Sequence, residues 1–223
     1  DFGWPLDTIP EVDFLVLDAT YTLLREKPAW TREEALSKFM GHITSNYGTK
    51  PIYVYARHGM MEELVSHIGA NYSENVNFVA SKKLIALISS QKNYMGFFPK
   101  HILDEETDEA TNIRKQKIHL KSLQAGGSES FPGVNIKVHN WQPLRDTPEK
   151  MDEIDGEFRN IVISITNHAK GSEVLEYVER TGAKFVITDS YRNALNSHRL
   201  AEEICEKLNI NAASADTTDI WKI

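Results

Sequence analysis

Short apolar runs alternate with amphipathic stretches of helix length along this chain. Residues 12–18 read as a strand that closes on Asp18. Thr31-Arg32-Glu33-Glu34 opens a helix, with Thr31 as N-cap and Glu34 at the capping-box position, that runs to about Tyr47 before Gly48. Pro51-Ile52-Tyr53-Val54-Tyr55-Ala56 is the next strand, and Gly59 opens a helix with Met61, Leu64, Val65 and Ile68 on one face, ending at Gly69. A short strand over 76–79 leads to a helix over 82–90. Strand and helix at this spacing predict an α/β fold with a parallel sheet and right-handed crossovers.

The pattern weakens over residues 92–160, which hold Pro99, Pro132, Pro143 and Pro148, an acidic run at 104–109 and the segment Gln124-Ala125-Gly126-Gly127-Ser128. Two alternating runs stand out there, Lys117-Ile118-His119-Leu120-Lys121 and Val134-Asn135-Ile136-Lys137-Val138, each predicted as a half-buried strand in an otherwise irregular inserted lobe. Order returns with a strand over 161–166, a helix from about Ser172 to Thr181 before Gly182, and a strand over 184–188. A long amphipathic helix from about Ala194 to Leu208 follows, then short strands near 210–213 and 219–223.

Composition adds bounds. With 41% hydrophobic residues in 223, the chain can bury a sizeable core. No apolar run approaches the ~20 residues of a membrane span, and the basic-then-apolar order of a signal peptide is missing, so a soluble cytoplasmic protein without a membrane partner is expected. The single cysteine, Cys205, falls in a helical pattern with Leu200, Ile204 and Leu208, which predicts a core position and excludes an intrachain disulfide. A net charge of -7 argues against a broad basic surface for nucleic acid, leaving that role to a local strip or to bound metal ions. The candidate strip is Arg114-Lys115-Gln116-Lys117 with His119 and Lys121, where alternate strand residues project to one side toward phosphates; it also fits a solvated strand face beside the acidic run. Neither a Gly-x-Gly-x-x-Gly nor a Walker pattern is present.

Candidate chemistry sits at two apolar runs that stop abruptly on an ionisable residue. One is Phe14-Leu15-Val16-Leu17-Asp18, the other Ile161-Val162-Ile163-Ser164-Ile165-Thr166-Asn167-His168. The carboxyl end of a strand is where side chains leave the sheet and ligands bind. An Asp in that place also serves as a turn or cap residue, and a His before a helix as a cap; the remaining seven histidines show no metal-ligand spacing.

Asp18-Ala19-Thr20-Tyr21 resembles the acidic-x-Thr-Tyr motif that follows a strand in the β-CASP nucleases, a branch of the metallo-β-lactamase fold that cuts RNA or DNA. Ala56-Arg57-His58-Gly59-Met60-Met61-Glu62-Glu63-Leu64 is similar to that family's strand followed by a Gly-Arg-x-x-Glu-Leu helix start. Thr166-Asn167-His168-Ala169 resembles its Ser-Gly-His-Ala segment, and Gly182-Ala183-Lys184-Phe185-Val186-Ile187 resembles the strand leading to its third motif. The order and spacing of all four agree over nearly the whole chain. The family's His-x-His-x-Asp-His run is absent, so the chain looks like the C-terminal half of such a protein.

The resemblance implies part of a metallo-β-lactamase αββα fold over residues 1–21, an inserted β-CASP lobe of parallel-sheet type over 22–158, and a return into the first fold over 159–223. It implies metal-dependent hydrolysis of RNA phosphodiesters, with two zinc ions in the complete site that this chain alone does not hold, and with the cleft between the two lobes. Asp1 would bridge the metals, Asp18 would orient a metal-bound imidazole, and His168 would contact a phosphate oxygen or protonate the leaving alkoxide. Implied partners are RNA or single-stranded nucleic acid and the upstream half, with a homodimer also open. Three departures stand out: Thr188-Asp189 replaces the third-motif histidine, Met60 replaces a basic residue, and Thr22 replaces a glycine. They leave room for a non-catalytic scaffold or an Artemis-like DNA nuclease.

Overall fold

The computed structural model describes residues 6, 8–19, 30–72, 76–100, 102–112, 117–123, 129–139, 147–154, 158–165, 169, 171–190 and 194–215. The chain divides into two compact units, one spanning 28–165 and the other made from both ends, 1–27 and 166–223.

The 28–165 unit is built on a seven-stranded sheet. In chain order its elements are α1 (Arg32–Asn46), β2 (Ile52–Ala56), α2 (Met60–Tyr72), β3 (Asn77–Ala80), α3 (Lys82–Ser90), β4 (Ile102–Asp104), α4 (Asp108–Asn112), β5 (Lys117–Ser122), β6 (Gly133–His139), β7 (Glu149–Ile154) and β8 (Phe158–Ser164), β1 belonging to the other unit. The spatial order is β4-β3-β5-β2-β6-β8-β7, parallel throughout except for β7, which pairs antiparallel with β8 at one edge. Local chemistry starts α1 as the sequence predicts. Thr31 caps α1 through the Glu34 amide, and the Glu34 carboxylate accepts from the Thr31 amide at 2.6 Å. Ser81 caps α3 the same way, accepting from the Leu84 amide.

Alternation along each strand gives the sheet two unlike faces. One carries Ile52, Val54, Phe78, Ile118, Leu120, Val134, Ile136, Ile161 and Ile163, all fully buried, against Phe39 and Ile43 of α1, Met61, Leu64 and Ile68 of α2, and Ile88 of α3. The other carries Tyr53 and Tyr55 of β2, Lys117, His119 and Lys121 of β5, and Asn135, Lys137 and His139 of β6. Parallel sheets are normally covered on both faces. Here the polar face carries residues 129–131: Phe131 stacks on Tyr53, and Tyr53 on His119, with centroids 4.9 and 4.6 Å apart. Buried Asn135 holds that segment down, its Oδ1 accepting from the Phe131 amide at 3.0 Å and its Nδ2 donating to the Phe131 carbonyl at 2.8 Å.

Gly69, near the end of α2, is a close-approach glycine. A Cβ there would lie 2.0 Å from the ring of Phe97, whose amide donates to Ser66 Oγ on the same helix. Alanine would gain ~1 kcal/mol of helix propensity, but overpacking costs ~1–3 kcal/mol. Gly69→Ala is therefore expected to lower stability by about 1 kcal/mol in urea denaturation, whereas the same change in a Phe97→Ala background should raise it. The same sign in both backgrounds would show that Phe97 does not set the constraint.

The other unit has a three-stranded parallel sheet of order β1-β9-β10, from β1 (Phe14–Asp18), β9 (Phe185–Asp189) and β10 (Asn211–Ser214), with α5 (Gly171–Thr181) and α6 (Ala194–Leu208). Leu17 and Val186 pack against Val174 and Val178 of α5 and Leu200 and Ile204 of α6. The opposite sheet face presents Phe14 and Val16, 54% and 62% exposed, with Phe14 stacked on Phe185.

Three sequence expectations change. The middle of the chain is regular sheet rather than irregular lobe: β4, β5, β6 and β7 all come from residues 92–160. The second unit resumes at 166 rather than 159, because β8 starts at Phe158 and pairs along its whole length with β6. Cys205 is exposed and not a core filler; its phase on α6 turns it away from Leu200 and Ile204, which are buried. No helix among the described residues is long and apolar enough to cross a membrane. The expected strand at 219–223 lies outside the described residues.

Candidate functional site

Asp18 ends β1 and Asp189 ends β9, and the two are direct partners in the parallel register. Adjacent parallel strands run ~4.8 Å apart and partnered residues project to the same face. Two exposed carboxylates therefore stand side by side at the carboxyl edge of this sheet. The pairing continues one residue further, the Ala19 amide donating to the Asp189 carbonyl at 2.6 Å. Sequence reasoning placed Asp18 at a strand end and gave Asp189 as a replacement at the third motif. Their adjacency follows from the β1–β9 pairing, which no local pattern shows.

Thr188, the other third-motif residue, points the opposite way. It is fully buried, its hydroxyl donating to the Ser197 carbonyl at 2.8 Å while Ser197 Oγ donates back to the Thr188 carbonyl at 2.7 Å. Ser214 Oγ lies 2.5 Å from Ser197 Oγ, so three hydroxyls tie β9 to α6 and β10. Thr188 thus holds together the strand that carries Asp189.

Among the described residues no group of three or more His, Cys, Asp or Glu side chains is placed to hold a metal ion. Zinc typically takes about four ligands. The carboxylate pair alone does not fit that requirement. Asp1 and His168 lie outside the described residues, as do Arg114 and Lys115.

The remainder of the basic strip is in place but engaged. Lys117 Nζ donates to the Ala110 carbonyl at 2.7 Å, and Lys121 pairs with Glu105 and lies 5.4 Å from the Phe131 ring centroid. Between them, burial together with the charges of Lys117 and Lys121 pushes His119 down to about 4. At neutral pH the described part of the strip is one lysine held by a backbone carbonyl and one ion-paired lysine, flanking a neutral ring, which weakens it as a phosphate surface. Met60, where the resembling family has a basic residue, is buried in the first turn of α2 against the sheet. It is a packing residue.

Sequence reasoning passed over the carboxyl edge of the seven-stranded sheet. Arg57 follows β2 directly, His139 ends β6, and Ser164 ends β8 as the register partner of His139. Burial, followed by the charges of Arg57 and Lys137, holds the His139 imidazole below its ordinary value. The signal available in the sequence was the one used for Asp18, a strand stopping on an ionisable residue. A separate cavity of about 790 Å³ lies beside α2, lined in part by His58, Glu62, His67, Tyr94 and Met95.

No family model matches the chain, and no curated protein is similar to it. A solved crystal structure of a protein of unknown function from Enterococcus faecalis V583 is similar, with a TM-score of 0.54 and 11% identity over 92% of this chain and 50% of that one. The chain spans about half the length of that protein, and at this identity the likeness concerns the fold alone.

Proposed function

We propose that the chain is the C-terminal half of a β-CASP-type nuclease of the metallo-β-lactamase fold, and that the complete protein hydrolyses RNA phosphodiesters with two metal ions. The observation that carries this reading is the Asp18–Asp189 pair at the carboxyl edge of a sheet whose first and last strands come from opposite ends of the chain. A second observation agrees with it: Phe14 and Val16 leave an apolar sheet face open, which is what half of a two-sheet sandwich would present to its missing half. The metals themselves rest on ligands that the described residues do not supply. In this reading Asp18 is a positioning residue that accepts a hydrogen bond from an imidazole of the upstream half, and His168 faces the phosphate.

The test is the full-length gene product assayed for metal content and for cleavage of RNA and DNA, with zinc and manganese compared. About two metals per chain and cleavage of RNA are expected. Asp18→Asn should lower that cleavage by about 10-fold with a matching loss of metal affinity, and His168→Ala should abolish cleavage with metal still bound. The 223-residue chain alone should be inactive. Absence of both metal and cleavage would overturn the reading.

The buried Thr188 hydroxyl favours a second reading, a non-catalytic subunit that keeps the fold. A third-motif side chain sealed inside the β9–α6–β10 junction cannot reach a substrate. Full-length protein that binds RNA and never cleaves it would decide for this alternative.

A further inference from the structure

We propose that the cavity beside α2 binds a small organic cation, an ammonium group carried on an aromatic or apolar body. The cavity lies within the 28–165 unit and does not depend on the nuclease reading.

Its floor follows from helix phase. Residues four apart on a helix share one ridge, and the ridge through His58, Glu62 and Ser66, at the start of α2, faces the cavity. Its wall is Leu87 of α3, then Tyr94 and Met95 at the end of a 3₁₀ turn over 92–94. The Phe97 amide donates to Ser66 Oγ at 2.9 Å, which ties this wall to the floor, and Met95 packs against the buried core. The space between them, about 790 Å³, falls within the ~300–1,000 Å³ of small-molecule sites.

One carboxylate sets the chemistry. The Glu62 side chain is only 10% exposed, and its Oε2 accepts from the Gly59 amide at 2.7 Å. Its Oε1 lies 3.6 Å from His58 Nδ1, beyond hydrogen-bond length. A carboxylate has room for about four hydrogen bonds, and a buried one is costly unless a cation pairs with it. The neighbouring acid, Glu63, pairs with Arg32, and none of the described residues lining the cavity is a lysine or arginine. An incoming ammonium supplies that charge and donates to Oε1. A metal ion fits less well, since among the described residues no three His, Cys, Asp or Glu side chains are placed to hold one. The ligand body rests on Leu87 and Met95. Tyr94, 86% exposed, adds an aromatic ring beside the acid, the pairing that recognises organic cations.

Titration of the full-length gene product with tryptamine, read by calorimetry, tests the site. Tryptamine is expected to bind, and indole-3-acetate, of similar shape and opposite charge, to bind about 10-fold or more weakly. Glu62→Gln keeps an acceptor for the Gly59 amide and removes the charge, so it should weaken tryptamine about 10-fold or more. Tyr94→Ala changes an exposed side chain and should weaken it about 3-fold, with most of the loss restored in Tyr94→Phe. An unchanged thermal midpoint would show that Glu62→Gln folds. No binding of tryptamine, equal binding of indole-3-acetate, or unchanged binding by folded Glu62→Gln would overturn the site. If that variant does not fold, unchanged binding by Tyr94→Ala decides against the site in its place.

Discussion

Asn135→Leu is expected to destabilise the protein by about 3 kcal/mol. The asparagine is fully buried on the polar face of the seven-stranded sheet, and its amide serves both backbone groups of Phe131. Its Oδ1 also lies 3.0 Å from the Tyr55 hydroxyl, which shares its proton with the Glu129 carbonyl at 2.8 Å. Leucine fills the volume and offers neither donor nor acceptor. The Phe131 amide and carbonyl then lose their partner in a partly buried place, at ~1–3 kcal/mol for each unsatisfied group. Two controls isolate the cause. Tyr55→Phe removes only one shared hydrogen bond and should cost about 1 kcal/mol, while Asn135→Asp keeps the acceptor and loses the donor, so it should fall between the two. Urea denaturation measures all three. A leucine variant as stable as Tyr55→Phe would show that residues 129–131 do not depend on Asn135.

Acid should destabilise the folded chain through His119. Its folded value is about 4 against an ordinary 6.5, because the ring is largely buried on Tyr53 between Lys117 and Lys121. Above pH 6.5 the ring is neutral in both folded and unfolded chains and contributes no pH dependence. Below that, the unfolded chain takes up a proton that the folded chain refuses, so stability falls with pH until about 4. Each pH unit is worth ~1.4 kcal/mol, and with the ring partly open to solvent, screening leaves about 2 kcal/mol over the whole window. His139, pushed in the same direction by burial, Arg57 and Lys137, adds to the loss. His119→Phe keeps the stack on Tyr53 and removes the proton site. Its unfolding free energy should therefore be flatter than that of wild type between pH 7 and 4.5 by nearly that amount; parallel curves would refute this account of His119.

Both predictions arise on a face that the sequence showed only in outline. The alternation in Lys117-Ile118-His119-Leu120-Lys121 and Val134-Asn135-Ile136-Lys137-Val138 was enough to read two half-buried strands, and both exist. It was not enough to show that their polar halves lie on one face of the sheet, to either side of β2, with Asn135 fully buried there. A polar residue in an alternating strand is ordinarily the solvent side. Here that side is closed by Phe131 and its neighbours, joined through a long connection that carries no periodicity.

By itself the sequence determined the elements whose stabilisation is local. The capping box of Thr31 and Glu34, the span Ala194–Leu208 of α6 and the strand ending on Asp18 were all legible, because helix phase, caps and strand alternation are written in neighbouring residues. The tertiary structure alone decided which strands lie together. β7, Glu-Lys-Met-Asp-Glu-Ile, has no alternating apolar face and exists as an edge strand paired with β8. Asp18 meets Asp189, and β2 meets β6 to bring Arg57 close to His139, through pairings between distant segments. Local periodicity records which side of an element is buried. The partner on that side is set by packing of the whole sheet, and both of these juxtapositions lie at such junctions.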